Sequence, residues 1–243
     1  MRAKFWACLG DHGARALSTF CAGSSMKLYI ALGDSISIDR YPEIETGIPN
    51  IGAASLFSCD LRARHPDLAF RNLTADGATT EDVLREQLPR IQDTSDPAIV
   101  TITVGGNDLL VNLGASHPPT NLVEGMMERL TRIVDEVIRK LPNALVLVGT
   151  VYDPSDNTGT LNGRGFGREA EWLARFNEFI RHLAGNRRNV LLADIHAHFM
   201  GHGITASETH RWYWSGLIFE PNAEGARQVR TLWMGLVEGQ AND

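Results

Sequence analysis

The sequence has few cysteines, no excess of positive charge and no long hydrophobic run. Its cysteines, Cys8, Cys21 and Cys59, are odd in number and have no pairing pattern, which favours a reducing compartment, so we expect a cytoplasmic protein. The net charge is −6 and no basic run occurs, which argues against nucleic acid as a partner. No segment approaches the length of about 18 apolar residues that a membrane helix needs, so no membrane span is expected.

The chain also lacks a low-complexity linker that would divide its 243 residues. An α/β unit of this length commonly forms one domain. At the N-terminus, the charged Asp11 and Arg15 interrupt the sequence before an apolar core forms, which makes a poor signal peptide. We therefore predict a disordered N-terminal extension over residues 1–25 and a single domain over residues 26–243.

Five apolar segments of strand type alternate with segments of helical periodicity along the chain. The predicted strands are 27–32, 68–73, 98–104, 144–150 and 190–195. The predicted helices are 53–64, 80–87, 122–140, 168–183 and 222–237. This alternation implies right-handed βαβ crossovers. It predicts a flavodoxin-like, doubly wound α/β fold, in which a five-stranded parallel sheet of order 2-1-3-4-5 has helices on both faces.

Small and polar residues follow each of the first three predicted strands. Gly33-Asp34-Ser35 follows the first strand, Gly77 the second, and Gly105-Gly106-Asn107-Asp108 the third. Ligands of open parallel sheets bind beyond the carboxyl ends of the strands, so these residues are expected at one edge. A serine with backbone N–H groups and an asparagine amide nearby supplies the nucleophile and the oxyanion donors of acyl transfer. Taken singly, each is equally typical of a turn or a helix cap.

Together these blocks resemble the SGNH (GDSL-type) hydrolases over roughly residues 27–237, and Gly-x-Asn-Asp is the most specific of them. The resemblance implies a serine esterase, lipase or thioesterase. It also implies that Ser35 is the nucleophile and that the Ser35 N–H, the Gly77 N–H and the Asn107 amide form the oxyanion hole. No cofactor and no metal are expected.

The last block of the chain departs from the family pattern Asp-x-x-His-Pro-Asn. The matching text is Leu217-Ile-Phe-Glu-Pro-Asn222, which places Leu217 at the acid position and Glu220 at the base position. A serine hydroxyl needs an adjacent base to become a nucleophile at neutral pH. Another residue must therefore take the role of the histidine if the protein is an active enzyme.

A cluster of histidines after the fifth predicted strand is the first candidate source of that base. If residues 197–201 form a helical turn, His198 and His202 share one face, and Asp194 stands four residues before His198. We predict His198 or His202 as base, with Glu220 or Asp194 as the orienting acid, and leave the choice open. The cluster comprises His196, His198, His202 and His210, and His117 lies on a more remote candidate loop.

Three other interpretations of this region remain open. Glu220 itself serves as the base if burial raises its pKa. The histidine spacings also suit zinc, with Asp194, Glu208 or Glu220 completing the ligand set. In the third interpretation the histidines are polar loop residues that are hydrogen-bonded to the backbone.

Two long connections, after the fourth strand and before the last helix, are expected to shape the substrate pocket. Candidate substrate-binding residues are Asp34, Tyr152, Trp212 and Trp214. The predicted function is hydrolysis of small carboxylic esters through an acyl-Ser35 intermediate. The alternatives are a carbohydrate deacetylase or acyl-thioesterase on the same site, and a non-catalytic acyl- or sugar-binding protein that has lost the base. The sequence does not indicate an oligomeric state.

Overall fold

A five-stranded parallel sheet forms the centre of the protein in the computed structural model, which describes residues 25–116, 119–161 and 163–241. The predicted N-terminal extension lies outside the described residues, apart from Ser25. The sheet has the order β2-β1-β3-β4-β7, and a two-stranded antiparallel hairpin, β5-β6, precedes its last strand. Without the hairpin this is the predicted order 2-1-3-4-5, which confirms the α/β class. The strands are β1 Leu28–Gly33, β2 Ala69–Asn72, β3 Ala98–Thr103, β4 Ala144–Gly149, β5 Thr160–Leu161, β6 Arg164–Gly165 and β7 Val190–Ala193.

The long helices agree with the predictions, whereas several short ones were not predicted. The α-helices are α1 Arg40–Thr46, α2 Ala53–Arg64, α3 Thr80–Asp82, α4 Gly106–Leu110, α5 Leu122–Lys140, α6 Gly167–Gly185, α7 Ile195–Phe199 and α8 Ala223–Ala241. Helix α3 continues into a π-helical turn and a 3₁₀ turn that end at Arg90. Helices α1, α4 and α7 have five to seven residues each, too few to show a helical period in the sequence.

The two faces of the sheet bury separate apolar clusters, because successive strand residues point to opposite faces. In β1, Tyr29 and Ala31 belong to the cluster that contains residues of α2 and α8, and Ile30 and Leu32 belong to the cluster that contains residues of α5 and α6. Trp233 of α8 is fully buried. None of the described helices has the length and apolar character needed to cross a membrane.

The end of β1 approaches β3 so closely that only glycine fits there. Gly33 has φ +123°, and a Cβ at this position would lie 1.7 Å from the carbonyl oxygen of Thr103. Close packing and the positive φ each disfavour a side chain, so we expect Gly33→Ala to lower the free energy of unfolding by about 3 kcal/mol or more. Urea unfolding followed by circular dichroism measures this change.

Gly47 provides the control for that substitution. It ends α1 with φ +72°, and a Cβ there would meet no atom within 4 Å. Gly47→Ala therefore adds only the left-handed backbone penalty, about 1 kcal/mol. Equal losses in the two variants would contradict the close-contact explanation.

Candidate active site

Ser35 lies at the carboxyl edge of the sheet, in a 3₁₀ turn that begins directly after β1. Asp34 caps this turn: its Oδ1 accepts the Ile36 N–H at 3.2 Å, and its own N–H donates to the Thr103 carbonyl at 2.9 Å. The serine is buried, with 5% of its surface exposed. Burial raises the pKa of the Asp34 carboxyl well above its usual value. These bonds fix the backbone of Ser35. Asp34 therefore holds the turn together, and it also lines the cavity beside Ser35.

Gln87 holds the residue that precedes this turn. The Gly33 N–H donates to Gln87 Oε1 and Gln87 Nε2 donates to the Gly33 carbonyl, both at 2.8 Å. The glutamine is buried, so both bonds are shielded from water. No sequence pattern predicts this contact, because the two residues are 54 positions apart and Gln87 belongs to no motif.

Gly77 and Asn107, the other two predicted oxyanion residues, belong to connected segments. Gly77 has φ +74° in the loop after β2. Asn107, in α4, donates one amide hydrogen from Nδ2 to the Ala78 carbonyl at 3.1 Å, and its second amide hydrogen is left for another acceptor. Within the described part of the chain, the N–H groups of Ser35 and Gly77 make no hydrogen bond. They remain available as donors.

A buried ion pair joins the same two segments. The Asp108 carboxylate accepts the N–H of Thr80 at 2.8 Å and its hydroxyl at 2.6 Å. Arg129 of α5 donates to the Thr80 hydroxyl at 2.7 Å and lies 3.3 Å from the Asp108 carboxylate. Asp108, the last residue of the Gly-x-Asn-Asp block, thus fixes α4 to the start of α3. This contact sets the distance between Asn107 and the loop of Gly77.

Glu220 is the titratable group that the fold brings to Ser35. The Glu220 carboxyl and Ser35 line the same cavity, and the Ser35 side chain lies close enough to lower the pKa of this carboxyl. Burial raises the pKa of Glu220 to about 7, because its effect outweighs the lowering by Ser35. Only 7% of the residue is exposed, and its Oε2 has no hydrogen-bond partner among the described residues. A carboxyl group with this pKa is half ionised near neutral pH.

Helix α1 ties the surroundings of Glu220 together. The hydroxyl of Tyr41 donates to the Asp76 carboxylate at 2.9 Å, and Arg40 donates to the same carboxylate at 2.6 Å. Asp76 directly precedes Gly77. From the other end of α1, Glu45 accepts the N–H of Ala223, the first residue of α8, at 2.7 Å. Helix α1 therefore connects the loop of Gly77 with the segment that carries Glu220.

Ser35, Asn107 and Glu220 line one cavity of about 110 Å³. Most of the remaining lining is apolar and comes from α4, from the residues around the β5-β6 hairpin and from the start of α6. These apolar residues are Leu109, Leu110, Leu113, Val151, Leu161, Phe166, Ala170, Leu173 and Phe219. The site thus places a serine and a buried carboxyl in one mainly apolar cavity.

The family model of the GDSL-like lipases and acylhydrolases matches residues 31–228 of the chain. The chain belongs to this family. It is accordingly a carboxylic-ester hydrolase of the GDSL type. The match includes both the Ser35 block and the altered last block around Glu220. Among the curated proteins, none matches this chain.

Solved structures of GDSL-type enzymes share the fold. Phospholipase A1 from Streptomyces albidoflavus has a TM-score of 0.60 and 22% identity, with 89% of this chain and 100% of that chain covered. An extracellular lipase from Streptomyces rimosus has a TM-score of 0.60 and 20% identity, with coverage of 86% and 99%. A variant of an acetyl xylan esterase from Geobacillus stearothermophilus has a TM-score of 0.61 and 18% identity, with coverage of 88% and 94%.

The candidate histidines of this GDSL-type hydrolase have other partners. His198 Nε2 lies 3.0 Å from Gln228 Oε1, and His202 Nδ1 lies 2.7 Å from the carbonyl of His210. The predicted helical turn over residues 197–201 is displaced, since α7 ends at Phe199 and leaves His202 beyond it. Among the described residues, no histidine lines the Ser35 cavity. His117 lies outside the described residues.

Asp194 is likewise held away from the serine. It caps α7, and its carboxylate accepts hydrogen bonds from the Thr150 hydroxyl at 2.9 Å and from Arg181 at 3.0 Å. Burial acts to raise the pKa of Asp194, but these hydrogen bonds outweigh it and the pKa is lowered. In the described part of the chain, no three His, Cys, Asp or Glu side chains come together as metal ligands.

Of the three aromatic candidates, one lines the cavity and two pack elsewhere. Tyr152 lines the cavity, and its hydroxyl donates to the Phe219 carbonyl at 2.5 Å, next to Glu220. Trp212 stacks on His202, with ring centroids 3.5 Å apart, and Trp214 lies 5.6 Å from Tyr41. Neither tryptophan is among the residues that line the cavity.

Proposed function

We propose that the protein is a serine esterase that hydrolyses small carboxylic esters through an acyl-Ser35 intermediate, with Glu220 as general base. The observation that carries this proposal is the placement of Ser35 and a carboxyl of raised pKa together in the lining of a mainly apolar cavity. A carboxylate of ordinary pKa is too weak a base for a serine at neutral pH. A pKa of about 7 removes most of that disadvantage, because the base strength of a group rises with its pKa.

In the acylation step, Glu220 takes the proton of the Ser35 hydroxyl while Ser35 Oγ attacks the ester carbonyl carbon. The carbonyl π electrons move to the oxygen, giving a tetrahedral oxyanion. The intermediate collapses, the bond to the alcohol oxygen breaks, and that oxygen takes the proton back from Glu220. Water then attacks the acyl carbonyl carbon and gives a proton to Glu220. The bond between this carbon and Ser35 Oγ breaks, Oγ takes the proton from Glu220, and the carboxylic acid is released.

The oxyanion donors in this proposal are the Ser35 N–H, the Gly77 N–H and the second amide hydrogen of Asn107. Two observations support this assignment. The two backbone N–H groups make no hydrogen bond among the described residues, and the Asn107 amide has one hydrogen left after its bond to the Ala78 carbonyl. Donors that are fixed before the reaction stabilise the charge of the intermediate without reorganisation. The bonds of Asp108 to Thr80 and of Gln87 to Gly33 hold these donors in place.

The pH dependence of ester hydrolysis tests the role of Glu220. The base acts as the carboxylate, so activity rises as the pH rises through its pKa of about 7 and is level above about pH 8. We expect kcat/KM for 4-nitrophenyl butyrate to fall about tenfold for each pH unit below 7. Stopped-flow or plate assays between pH 5 and 9, in buffers of constant ionic strength, measure this profile.

An activity that is already level at pH 5.5 would contradict the proposal, since it would require a base with the usual pKa of a glutamate, about 4.3. Circular dichroism at each pH serves as the control that the fold persists. Absence of turnover on every ester tried, with the fold intact, would instead favour the non-catalytic binding protein.

A further inference from the structure

The cavity beside Ser35 has an unusual distribution of charge. Four carboxyl groups line it, and no lysine, arginine or histidine does so among the described residues. These four are Asp34, Asp153, Glu169 and Glu220. The rest of the lining is mainly apolar, and charges in such surroundings are screened less than charges at an open surface.

The four carboxyls divide into two pairs. Asp34 and Glu220 lie at the serine end, and burial raises the pKa of both, which favours their protonated forms. Asp153 and Glu169 belong to the segments that surround the rest of the cavity, the loop after β4 and the first turn of α6. A group entering the cavity beyond Ser35 therefore meets negative charge along an otherwise apolar wall.

Glu169 lines the cavity from the first turn of α6. Its side chain is 14% exposed, and its Oε1 accepts the Gly114 N–H at 3.1 Å, which ties α6 to the loop after α4. Arg168 lies 3.8 Å from Glu169, but its side chain is 45% exposed and it donates to the Ala115 carbonyl. An exposed cation at that distance neutralises a largely buried carboxylate only in part.

We propose that the cavity binds the acyl group of the substrate and selects acyl chains that end in a neutral or positively charged group, and that Glu169 is the residue that rejects chains ending in a carboxylate. This inference rests on the proposed esterase function, because the acyl group stays bound to Ser35 and must occupy the cavity that opens from it. The apolar lining takes the methylene chain of such an acyl group. A terminal carboxylate would instead meet the carboxyls of Glu169 and Asp153, and no lysine, arginine or histidine of the described residues lines the cavity to pair with it.

Three 4-nitrophenyl esters with six-carbon acyl chains test this selection: the hexanoate, the 6-aminohexanoate and the monoester of adipic acid. We expect kcat/KM for the adipate ester to be lower than for the hexanoate by about tenfold or more, after subtraction of the rate in buffer. The 6-aminohexanoate is expected to match or exceed the hexanoate. Equal kcat/KM values for the three esters would overturn the proposal.

The variant Glu169→Gln assigns the effect to its residue. Glutamine keeps the oxygen that accepts the Gly114 N–H, so the fold of the cavity is preserved. We expect kcat/KM for the adipate ester to rise about fivefold or more, with that for the hexanoate changed less than twofold. Glu171, exposed on the same helix, supplies the matched control, and Glu171→Gln should change neither value. An unchanged adipate value in Glu169→Gln would overturn the role of Glu169.

Binding to Ser35→Ala separates this inference from the esterase proposal. The uncleaved amides hexanamide, adipamic acid and 6-aminohexanamide carry the same three chain ends, and calorimetry measures their affinities without catalysis. We expect adipamic acid to bind at least tenfold more weakly than hexanamide. If the amides bind in this order but no ester is cleaved, the esterase proposal fails and charge selection stands. If the esters are cleaved with no order in either series, charge selection fails and the esterase stands.

Discussion

Replacement of Ser35 by alanine is expected to lower kcat/KM for 4-nitrophenyl butyrate by about 10⁴- to 10⁶-fold, to the rate that binding and the oxyanion donors alone supply. The covalent route ends with the loss of Oγ, because no acyl-enzyme forms. The fold should persist, because the turn is held by the hydrogen bond from the Ile36 N–H to Asp34. The same assay with a thermal melt of each variant measures both effects.

Ser37 offers a matched control in the same turn. Its hydroxyl lies 2.9 Å from the Thr103 hydroxyl, and it does not line the cavity. Ser37→Ala should cost about 1 kcal/mol of unfolding free energy and leave kcat/KM within a few-fold of the parent value.

A fluorophosphonate probe should label the wild type on Ser35, as shown by peptide mass spectrometry. Labelling at another residue, or activity retained in Ser35→Ala, would rule out Ser35 as nucleophile.

Replacement of Glu220 by glutamine is expected to lower kcat/KM by about 10²- to 10⁴-fold, the usual contribution of a general base. Glutamine has nearly the same shape, but its amide cannot take a proton at any pH of the assay. The rise in activity through pH 7 should therefore disappear from the residual activity. A pH profile of Glu220→Gln beside that of the wild type shows both the loss and the change in shape.

The histidine variants His198→Ala and His202→Ala decide between the two candidate sources of the base. Since these side chains bond to Gln228 and to the His210 carbonyl, we expect both variants to stay within about twofold of wild-type activity. A loss of several orders of magnitude in either histidine variant, with Glu220→Gln active, would show that the loop rearranges to bring a histidine to Ser35. The proposal for Glu220 would then be wrong.

The fold was predictable because its signals are local. Strands β1, β3, β4 and β7 are short runs of apolar and β-branched residues, and helix α5 shows its period over 19 residues. The sequence likewise placed Ser35, Gly77 and Asn107 after three successive strands. Parallel strands of one sheet end at the same edge, so residues that follow the strands in the sequence lie close together in the fold.

The contacts of Glu220 could not be predicted from such local patterns. The sequence showed that a carboxylate stands where the family has a histidine, and the dense histidine loop offered a local substitute. Its hydrogen bonds in the structure go elsewhere, since α7 ends before His202 and the rings pack on Trp212 and Gln228. Loops without a periodic pattern leave side-chain direction undetermined by sequence.

By itself, then, the sequence determined the sheet order and the positions of Ser35, Gly77 and Asn107 beyond the ends of three strands, because these follow from hydrophobic period and strand ends. Only the tertiary structure decided that Glu220 faces Ser35, that Gln87 holds Gly33 and that carboxyl groups line an apolar cavity. Each of these depends on contacts between segments far apart in the chain. The raised pKa of Glu220 depends on them too, because burial is a property of the packed molecule.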